Sequence, residues 1–456
     1  MTRILIISHG HPDLGVGGGE IAAYRQCQEL RALGHEVLFM GRAPTPSRRG
    51  GTVFSVCGAD AGDVLFHSPD FDHFLFRQPA KWAVYKDFRS LLERFAPDVV
   101  HFHHYVHLGL ELIREVRKYS VRVPILLTLH EYLAICHNHG QMVKTDGRLC
   151  DRAGPVDCHG CFPQHSPEDF FLREMFIKSY VGLVDAFVCP SRFLLERYAQ
   201  WGLSRDKLHC IENGQPDAPA EAAAPPADIL CRRFGFFGQL SELKGVPLLL
   251  QAVRDLAEDA RARIEVDIHG TLTHQSEAFK ERFAAETAAV ADCVRYQGPY
   301  RPADLPALMR RVGWVVVPSV WWENSPLVIQ EAFNHGRPVI CGNIGGPAEK
   351  VADGVSGLHF IARNARDLAA RMQTAADPGL WTRLRDGIRS PLSIRAATET
   401  HLALYQRLAE SRAKLEPPPQ PEPQSRPVPA GAGASAPAPL RKPLGRAAAA
   451  RLALHS

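Results

Sequence analysis

The sequence feature that most constrains the fold of this chain is an alternation of short β-rich apolar runs with helical patterns. This alternation occurs twice along the chain. In the first series we predict a strand at Arg3 to Ser8, a helix at Gly19 to Leu33 and a strand at Val37 to Met40. The later strands of this series are predicted at Asp98 to Phe102, Ile125 to Leu129, Ala186 to Pro190 and Leu208 to Ile211. Alternation of this kind predicts a parallel sheet with helices on both faces.

A Pro- and Ala-rich stretch separates the two series and predicts a linker at residues 215–229. The strands of the second series are predicted at Arg233 to Phe237, Arg263 to His269, Val294 to Gln297, Trp314 to Pro318 and Pro338 to Cys341. The α/β pattern therefore predicts two Rossmann-like doubly wound domains, residues 1–214 and 230–395, that face a cleft. We expect a helix at 396–414 to pack back toward the first domain. Residues 415–456 are expected to be disordered, because they have almost no bulky apolar side chains.

The composition excludes several classes of protein. Of 456 residues, 45% are hydrophobic and 22% are charged, with a formal net charge of +4, so nucleic acid is not an expected partner. No run approaches the roughly 18 apolar residues of a membrane span. The first apolar run ends at His9-Gly10 without a cleavage site, so we expect a cytoplasmic protein. The basic stretch Arg441 to Leu454 suits peripheral contact with the inner face of the membrane, although a solvated tail is the simpler interpretation.

The stretch from Val317 to Glu331 has the pattern of a strand, a loop and a helix whose first turn contains Pro326. Because first-turn amides have no partner within their helix, those of about Ser325 to Val328 form a predicted site for a diphosphate. Glu323 lies before this helix and suits contact with sugar hydroxyls beside the phosphates. Glu331, further along the helix, suits ribose hydroxyls or merely faces solvent.

The two glutamates are followed by Gly336-Arg337-Pro338-Val339-Ile340 and Gly345-Gly346-Pro347-Ala348-Glu349. This block resembles the family 4 glycosyltransferases, which are retaining enzymes of the GT-B fold, and more narrowly a subgroup with a Trp-Trp-Glu-Asn-Ser-Pro motif and a cysteine-containing loop in the N-terminal domain. The resemblance spans about residues 1 to 410. It implies that Glu323 contacts the transferred sugar and Glu331 the ribose. It also implies that backbone amides of the segment Asn324, Ser325, Pro326 and Leu327 contact the phosphates.

Upstream, Phe236-Phe237-Gly238-Gln239-Leu240 followed by Lys244-Gly245 matches the strand end and the lysine of the same family. The resemblance implies that Lys244 holds positive charge against the donor diphosphate, where leaving-group charge develops in the transition state. By itself Lys244 would be interpreted as a surface residue of the helix predicted near Gly245. Gln239 stands where many family members have arginine, which lowers the charge there and gives Lys244 more weight.

A glycine-rich segment, Gly15 to Glu20, opens the first predicted helix. By itself it is a weak match to a dinucleotide fingerprint, without a clear acidic partner downstream. The resemblance implies that Gly18 and Gly19 face the cleft and touch the phosphate side of the donor or the acceptor.

Histidines stand at two predicted strand ends. His130 follows Ile125 to Leu129, at the edge of a parallel sheet where ligands bind. The family match at Thr128-Leu129-His130-Glu131 makes His130 a predicted sugar contact, although a lone histidine there is more often structural. A second cluster suits a metal site or, preferably, the polar lining of an acceptor cleft, and it consists of His101, His103, His104 and His107.

Four of the 11 cysteines lie in one Gly- and Asp-rich stretch, at Cys136, Cys150, Cys158 and Cys161. Four thiolates could bind a structural zinc ion, but only Cys158-His159-Gly160-Cys161 has the short spacing of zinc motifs. Free thiols or a redox pair are equal alternatives. No cofactor is expected for catalysis, because the predicted donor site lies in the other domain and the resembled fold does not depend on a metal-bound diphosphate.

The resemblance implies a retaining, hexosyltransferase-type enzyme. The resemblance implies a nucleotide-diphosphate sugar as donor, a saccharide or lipid-linked acceptor, and a role in bacterial polysaccharide or glycoconjugate synthesis. It also implies attack on the face that the leaving group departs from, so we assign no general base. The alternatives are a nucleotide-sugar epimerase, a phosphorylase, for which we find no pyridoxal signature, and a non-catalytic nucleotide-sugar-binding protein. The presence of Glu323, Lys244 and Glu331 argues against the last.

Overall fold

A computed structural model describes residues 1–15, 17–43, 52–57, 62–67, 70–79, 81–217, 225–273 and 275–415. Residues Met1–Leu415 form one compact unit. The tail expected beyond Leu415 and the middle of the expected linker, residues 218–224, lie outside the described residues.

The first half of the chain builds one sheet, whose described strands are β1 (Arg3–Ser8), β2 (Glu36–Arg42), β3 (Phe54–Cys57), β4 (Asp63–Phe66), β5 (Val99–Phe102), β6 (Ile125–Thr128), β7 (Ala186–Cys189) and β8 (Leu208–Cys210). Their order across the sheet is β3-β4-β2-β1-β5-β6-β7-β8. Neighbours are parallel except β3 and β4, which are antiparallel. This edge pair was not predicted, because two four-residue strands are too short for a clear apolar alternation.

The second half builds a sheet whose described strands are β9 (Arg233–Phe237), β10 (Glu265–His269), β11 (Val294–Gly298), β12 (Trp314–Val317), β13 (Val339–Gly342) and β14 (Gly357–Phe360). All pairs are parallel, and the order is β11-β10-β9-β12-β13-β14. The edge strand β14 was not predicted. The prediction of two doubly wound parallel sheets is confirmed.

Helices cover both faces of each sheet. Those before the predicted linker are α1 (Gly18–Ala32), α2 (Lys81–Phe95), α3 (Glu111–Tyr119), α4 (Pro155–Cys161), α5 (Pro167–Val181) and α6 (Arg192–Trp201). The short helix α7 (Ala227–Leu230) begins within the predicted linker. Those after the linker are α8 (Val246–Arg254), α9 (Glu258–Arg261), α10 (Glu277–Ala288), α11 (Leu305–Arg311), α12 (Leu327–Asn334), α13 (Gly345–Lys350), α14 (Ala365–Ala375), α15 (Pro378–Asp386) and α16 (Ile394–Ala413). In the described part of the chain, no helix combines the length and the apolar character that crossing a bilayer requires.

The first strand shows why the sheets are buried on both sides. Leu5 and Ile7 of β1 belong to the apolar core on one face, whereas Ile4 and Ile6 belong to the core on the other. Successive side chains of a strand point to opposite faces, so a continuous apolar run predicts a strand that is covered by helices on both faces. The second sheet is likewise covered by two cores.

The chain passes between the two halves at two adjacent places. Gln215 forms an isolated parallel bridge with Ser393, and a Cβ atom on Gly214 would lie 2.5 Å from the Cα atom of Ile394. Beyond this crossing, α16 packs on α1, and its Tyr405 hydroxyl lies 2.7 Å from His101 Nδ1 of the first sheet. The C-terminal helix therefore completes the core of the first half.

Candidate active site

The topology of the second sheet determines where a ligand can bind. Strand β9 has β10 on one side and β12 on the other, so the connections after β9 and β12 leave the sheet in different directions. Such a switch point leaves a crevice at the carboxyl ends of the strands. Lys244 lies in the connection after β9 and Glu323 in the connection after β12, so both predicted residues lie at this crevice.

A glycine brings the two connections together. Gly245 has a φ of 75°, and a Cβ atom there would lie 1.9 Å from the carbonyl oxygen of Pro318. Only glycine allows this left-handed conformation and close approach without strain. Its position explains why Lys244 is held against the end of β12.

The carboxylate of Glu323 has two polar partners in the second half. Its Oε1 atom accepts hydrogen bonds from Lys244 Nζ at 2.7 Å and from Ser319 Oγ at 2.7 Å. The Glu323 residue is only 5% exposed, so this geometry is preorganised by the fold. Neither contact was predicted from the sequence, which assigns Lys244 to the donor diphosphate and Glu323 to the sugar. The place of Ser319 just beyond the predicted strand was the available signal for the second contact.

The helix that follows Glu323 begins just after Pro326, although its pattern places Pro326 within the first turn. Pro326 is the N-cap residue with an extended ψ of 121°, and Leu327 is the first residue of α12. The diphosphate site at this helix end stays a prediction. Of the first-turn amides, that of Ile329 donates to the carbonyl oxygen of Pro326 at 3.2 Å. Within the described residues, the buried Ser325 Oγ atom has no hydrogen-bond partner.

The adjacent glycines Gly345 and Gly346 fix the loop that carries Glu323. Gly346 donates its backbone N–H to the carbonyl oxygen of Glu323 at 2.8 Å. A Cβ atom on Gly346 would lie 1.4 Å from the carbonyl oxygen of Asn324. The Gly345-Gly346 motif that carried the family resemblance therefore serves as a backbone support for the motif of Glu323.

Residues predicted in the first half face this loop across the cleft. A Cβ atom on Gly18 would lie 3.6 Å from Leu327 Cδ1, and one on Gly19 would lie 3.4 Å from His130 Cγ. Asn324 Nδ2 donates a hydrogen bond to the backbone carbonyl of His130 at 3.0 Å. The structure thus brings together the glycine segment, the strand-end histidine and the N-terminus of α12.

His130 is neutral in this environment. Burial, followed by the neighbouring His104 and His9, lowers the pKa of His130 to about 3. Its Nε2 atom lies 3.2 Å from Nδ1 of His103, whose pKa is also lowered, first by burial. Because Nε2 already contacts His103, Nδ1 is the nitrogen that the neutral imidazole can offer to a hydroxyl group.

Glu331 lies on α12 opposite the first helix of the other half. Partial burial raises the pKa of its carboxyl group, whereas the positive charge of Arg25 lowers it. The sequence analysis missed Arg25, although it follows Gly18 by seven residues and therefore lies on the same face of α1. Gln239 is exposed in the connection after β9.

The second histidine cluster does not form a cleft lining as a whole. His101 is completely buried, and its two ring nitrogens contact the hydroxyls of Tyr405 and Thr128, each at 2.7 Å. His104 is also buried and lies 3.2 Å from Glu131. The interpretation of His101 as a cleft residue is wrong, because this side chain holds α16 against the first sheet.

The four loop cysteines are neighbours, yet they are not arranged at ligating distances. The pKa of Cys158 is raised by burial and also by the neighbouring thiols of Cys150 and Cys161. The pKa of Cys136 is likewise raised by burial and by Cys150 and Cys158. Among the described residues, three metal-ligand atoms lie within 4.8 Å of one another only at His11, Asp13 and Cys57. His11 is already hydrogen-bonded to Asp63, at 3.2 Å. The zinc site stays a prediction.

Two family models match this chain. Residues 16–216 match the model described as Glycosyltransferase Family 4, and residues 231–377 match Glycosyl transferases group 1. The chain is 34% identical to a D-inositol 3-phosphate glycosyltransferase of Streptomyces bingchenggensis over 181 residues, which is 38% of this chain and 39% of that protein. It is 24% identical to glycogen synthase of Mycobacterium tuberculosis over 82% of this chain and 86% of that protein.

Solved structures show the same fold. Anabaena HepE, crystallised in complex with UDP and glucose, matches with a TM-score of 0.60 and 17% identity, over 91% of this chain and all (100%) of that one. The two family models fall on the two halves that face the cleft. Together with the fold, they identify this chain as a GT-B protein of the glycosyltransferase type that is similar to family 4.

Proposed function

We propose that this protein is a retaining glycosyltransferase that moves a sugar from a nucleotide-diphosphate donor to a saccharide or lipid-linked acceptor. The observation that supports this most is the Glu323 site, where a buried carboxylate, Lys244 and the N-terminus of α12 lie at the switch point between β9 and β12. A donor needs both features of such a site, because its diphosphate is anionic and its sugar presents hydroxyl groups.

The geometry suggests a separate role for the α12 amides, for Lys244 and for Glu323. The diphosphate would bind at the first-turn amides of α12, with Lys244 released from Glu323 to contact a phosphate oxygen. Glu323 would then accept hydrogen bonds from the sugar that is transferred. The bond between the anomeric carbon and the phosphate oxygen breaks, and its electron pair leaves with the diphosphate, where Lys244 stabilises the charge. The acceptor oxygen bonds to the same face of that carbon, and its proton passes to the departing phosphate.

The comparisons leave the acceptor and the biological role open to proposal. We assign the protein to bacterial polysaccharide or glycoconjugate synthesis at the inner face of the membrane, with a soluble saccharide or a lipid-linked one as acceptor. Support comes from the similarity to a relative named glycogen synthase, because glycogen is a polysaccharide.

The direct test is a thermal-shift screen against uridine, guanosine and adenosine diphosphates and their sugars, followed by NMR of the product. A donor raises the melting temperature because it binds the folded protein. Transfer with the anomeric configuration of the donor preserved is the expected result, and an inverted product would exclude the retaining mechanism. Release of an epimerised nucleotide sugar without any acceptor would favour the epimerase instead. Binding without turnover would favour a non-catalytic protein.

The variant Glu331→Ala should weaken donor binding by about 1 to 3 kcal/mol, because the ribose hydroxyls would lose their buried acceptor. Isothermal titration with the matching nucleoside diphosphate measures this loss. A suitable control is Glu277→Ala, an exposed residue at the start of α10 in the same half. Unchanged affinity in Glu331→Ala would refute the ribose contact.

We also propose that the loop cysteines bind a structural zinc ion that takes no part in the chemistry. A 120° rotation about χ1 moves a cysteine sulfur by about 3 Å, enough to bring neighbouring thiols to a common ligand. Replacing both Cys158 and Cys161 with serine should lower the zinc content and the melting temperature, and leave nucleotide binding nearly intact.

The control is Cys210→Ser, an exposed cysteine outside the loop. Elemental analysis of protein purified without chelators or a histidine tag decides the question. Less than about a tenth of an equivalent of zinc, with all four thiols reactive, would leave ordinary reduced cysteines.

A further inference from the structure

We propose that Trp322 is a positioning residue, whose clamping by the first half of the molecule sets the place of Glu323 in the closed cleft. This inference rests on the proposed function, since it concerns the same carboxylate. Trp322 lies in the connection after β12 of the second sheet, yet its ring packs against the main apolar core of the first half. A tryptophan that served only its own half would pack on that half's core.

Three groups of the first half hold the indole ring. It stacks on Phe193 of α6, with centroids 5.5 Å apart and planes inclined by 27°. The Arg197 guanidinium lies 4.7 Å from the ring centroid of Trp322 and 4.9 Å from that of Phe193. The indole N–H donates a hydrogen bond to the carbonyl oxygen of Cys150 at 3.2 Å. We call Phe193, Arg197 and the Cys150 carbonyl the clasp.

The clasp is itself anchored. Arg197 donates a hydrogen bond to the carbonyl oxygen of Asp151 at 2.5 Å, which joins α6 to the cysteine loop. From the second half, Glu349 accepts hydrogen bonds from the backbone N–H groups of Arg192 and Phe193, at 2.8 and 2.7 Å. A carboxylate at the N-terminus of a helix is favourable, so Glu349 fixes the helix that carries the clasp to the other half.

Glu323 is therefore bracketed in sequence by two residues that contact the first half. Trp322 precedes it and Asn324 follows it. The Oδ1 atom of Asn324 accepts a hydrogen bond from Ser191 Oγ at 2.6 Å, and its Nδ2 atom donates one to the His130 carbonyl. The carboxylate of Glu323, in contrast, is bonded within the second half. Opening the cleft would pull on the backbone at both sides of Glu323 and shift its carboxylate, so the clasp couples closure to the catalytic position.

The test compares Trp322→Phe, which keeps a ring but removes the N–H donor, with Trp322→Ala, which removes both. We expect kcat to fall about tenfold or less in the first variant and up to about 100-fold in the second, with little change in the nucleotide affinity. Trp82→Phe is the control, because Trp82 is 83% exposed on α2. An unchanged kcat in a folded Trp322→Ala variant would overturn the proposal.

A double-mutant cycle with Arg197→Ala separates a clasp from two unrelated losses. If the two side chains act through one contact, the double variant should lose about as much kcat as the worse single variant. Multiplied losses would contradict the clasp. Hydrogen exchange gives a reading independent of turnover, because Trp322→Ala should speed exchange in both the cysteine loop and residues 321–325. Absence of transfer by the natural protein would count against the proposed function, whereas unchanged exchange would count against the clasp.

Discussion

Replacing Glu323 with glutamine should lower kcat by about 100-fold while nucleoside diphosphate affinity changes little. The amide keeps the shape of the side chain but loses the negative charge, so the transferred sugar loses its strongest hydrogen-bond acceptor in the transition state. Loss of a single preorganised group of this kind typically costs a factor of about 100 to 1000 in turnover. Lys244 would also lose its ionic partner, which stands 2.7 Å away, and would remain free for the diphosphate.

The measurement is steady-state kinetics beside calorimetry with the nucleoside diphosphate alone. A contact with the reacting sugar affects kcat, whereas a contact with the nucleotide affects binding. If turnover persisted and nucleotide affinity collapsed, the roles assigned to Glu323 and Glu331 would have to be exchanged. Equal losses in both quantities would indicate that glutamine disturbs the loop as a whole.

The variant Gly346→Ala should disable the same site without altering any group that touches the substrate. The new methyl carbon would stand 1.4 Å from the Asn324 carbonyl oxygen and 2.5 Å from its carbonyl carbon, and neither backbone atom can rotate away as a side chain could. The loop of Glu323 must therefore move. We expect a loss of stability of about 1 to 3 kcal/mol or more from overpacking. We also expect a fall in kcat of about 100-fold from misplacement of the carboxylate.

Gly160→Ala is the matched control, because a Cβ atom at Gly160 of α4 would meet nothing within 4 Å. Thermal unfolding and kinetics on the two variants make the comparison. A Gly346→Ala protein with normal stability and activity would show that the loop is free to move. The role of the Gly345-Gly346 motif as a rigid support would then be wrong.

The sequence alone determined the fold class, because continuous apolar strands alternating with helical patterns leave few arrangements other than two covered parallel sheets. The resemblance to family 4 also placed Lys244 and Glu323 in segments that follow strands, and a parallel sheet brings the ends of its strands to one edge. The short edge strands Phe54–Cys57 and Asp63–Phe66 were not predicted, since each has four residues and little periodicity. The buried His101 was misjudged because periodicity does not show which buried polar group a distant helix will satisfy.

Only the tertiary structure decided which side chains of the two halves contact each other across the cleft. Arg25 opposite Glu331, Ser319 bonded to Glu323, and Trp322 held by Phe193 and Arg197 are contacts between segments far apart or between halves. Local patterns report which residues share a strand face or a helix face, but they carry no information about the relative position of two separately folded sheets. That position follows from the crossings at Gln215 and Ser393 and from α16, where the packing of whole elements sets the geometry.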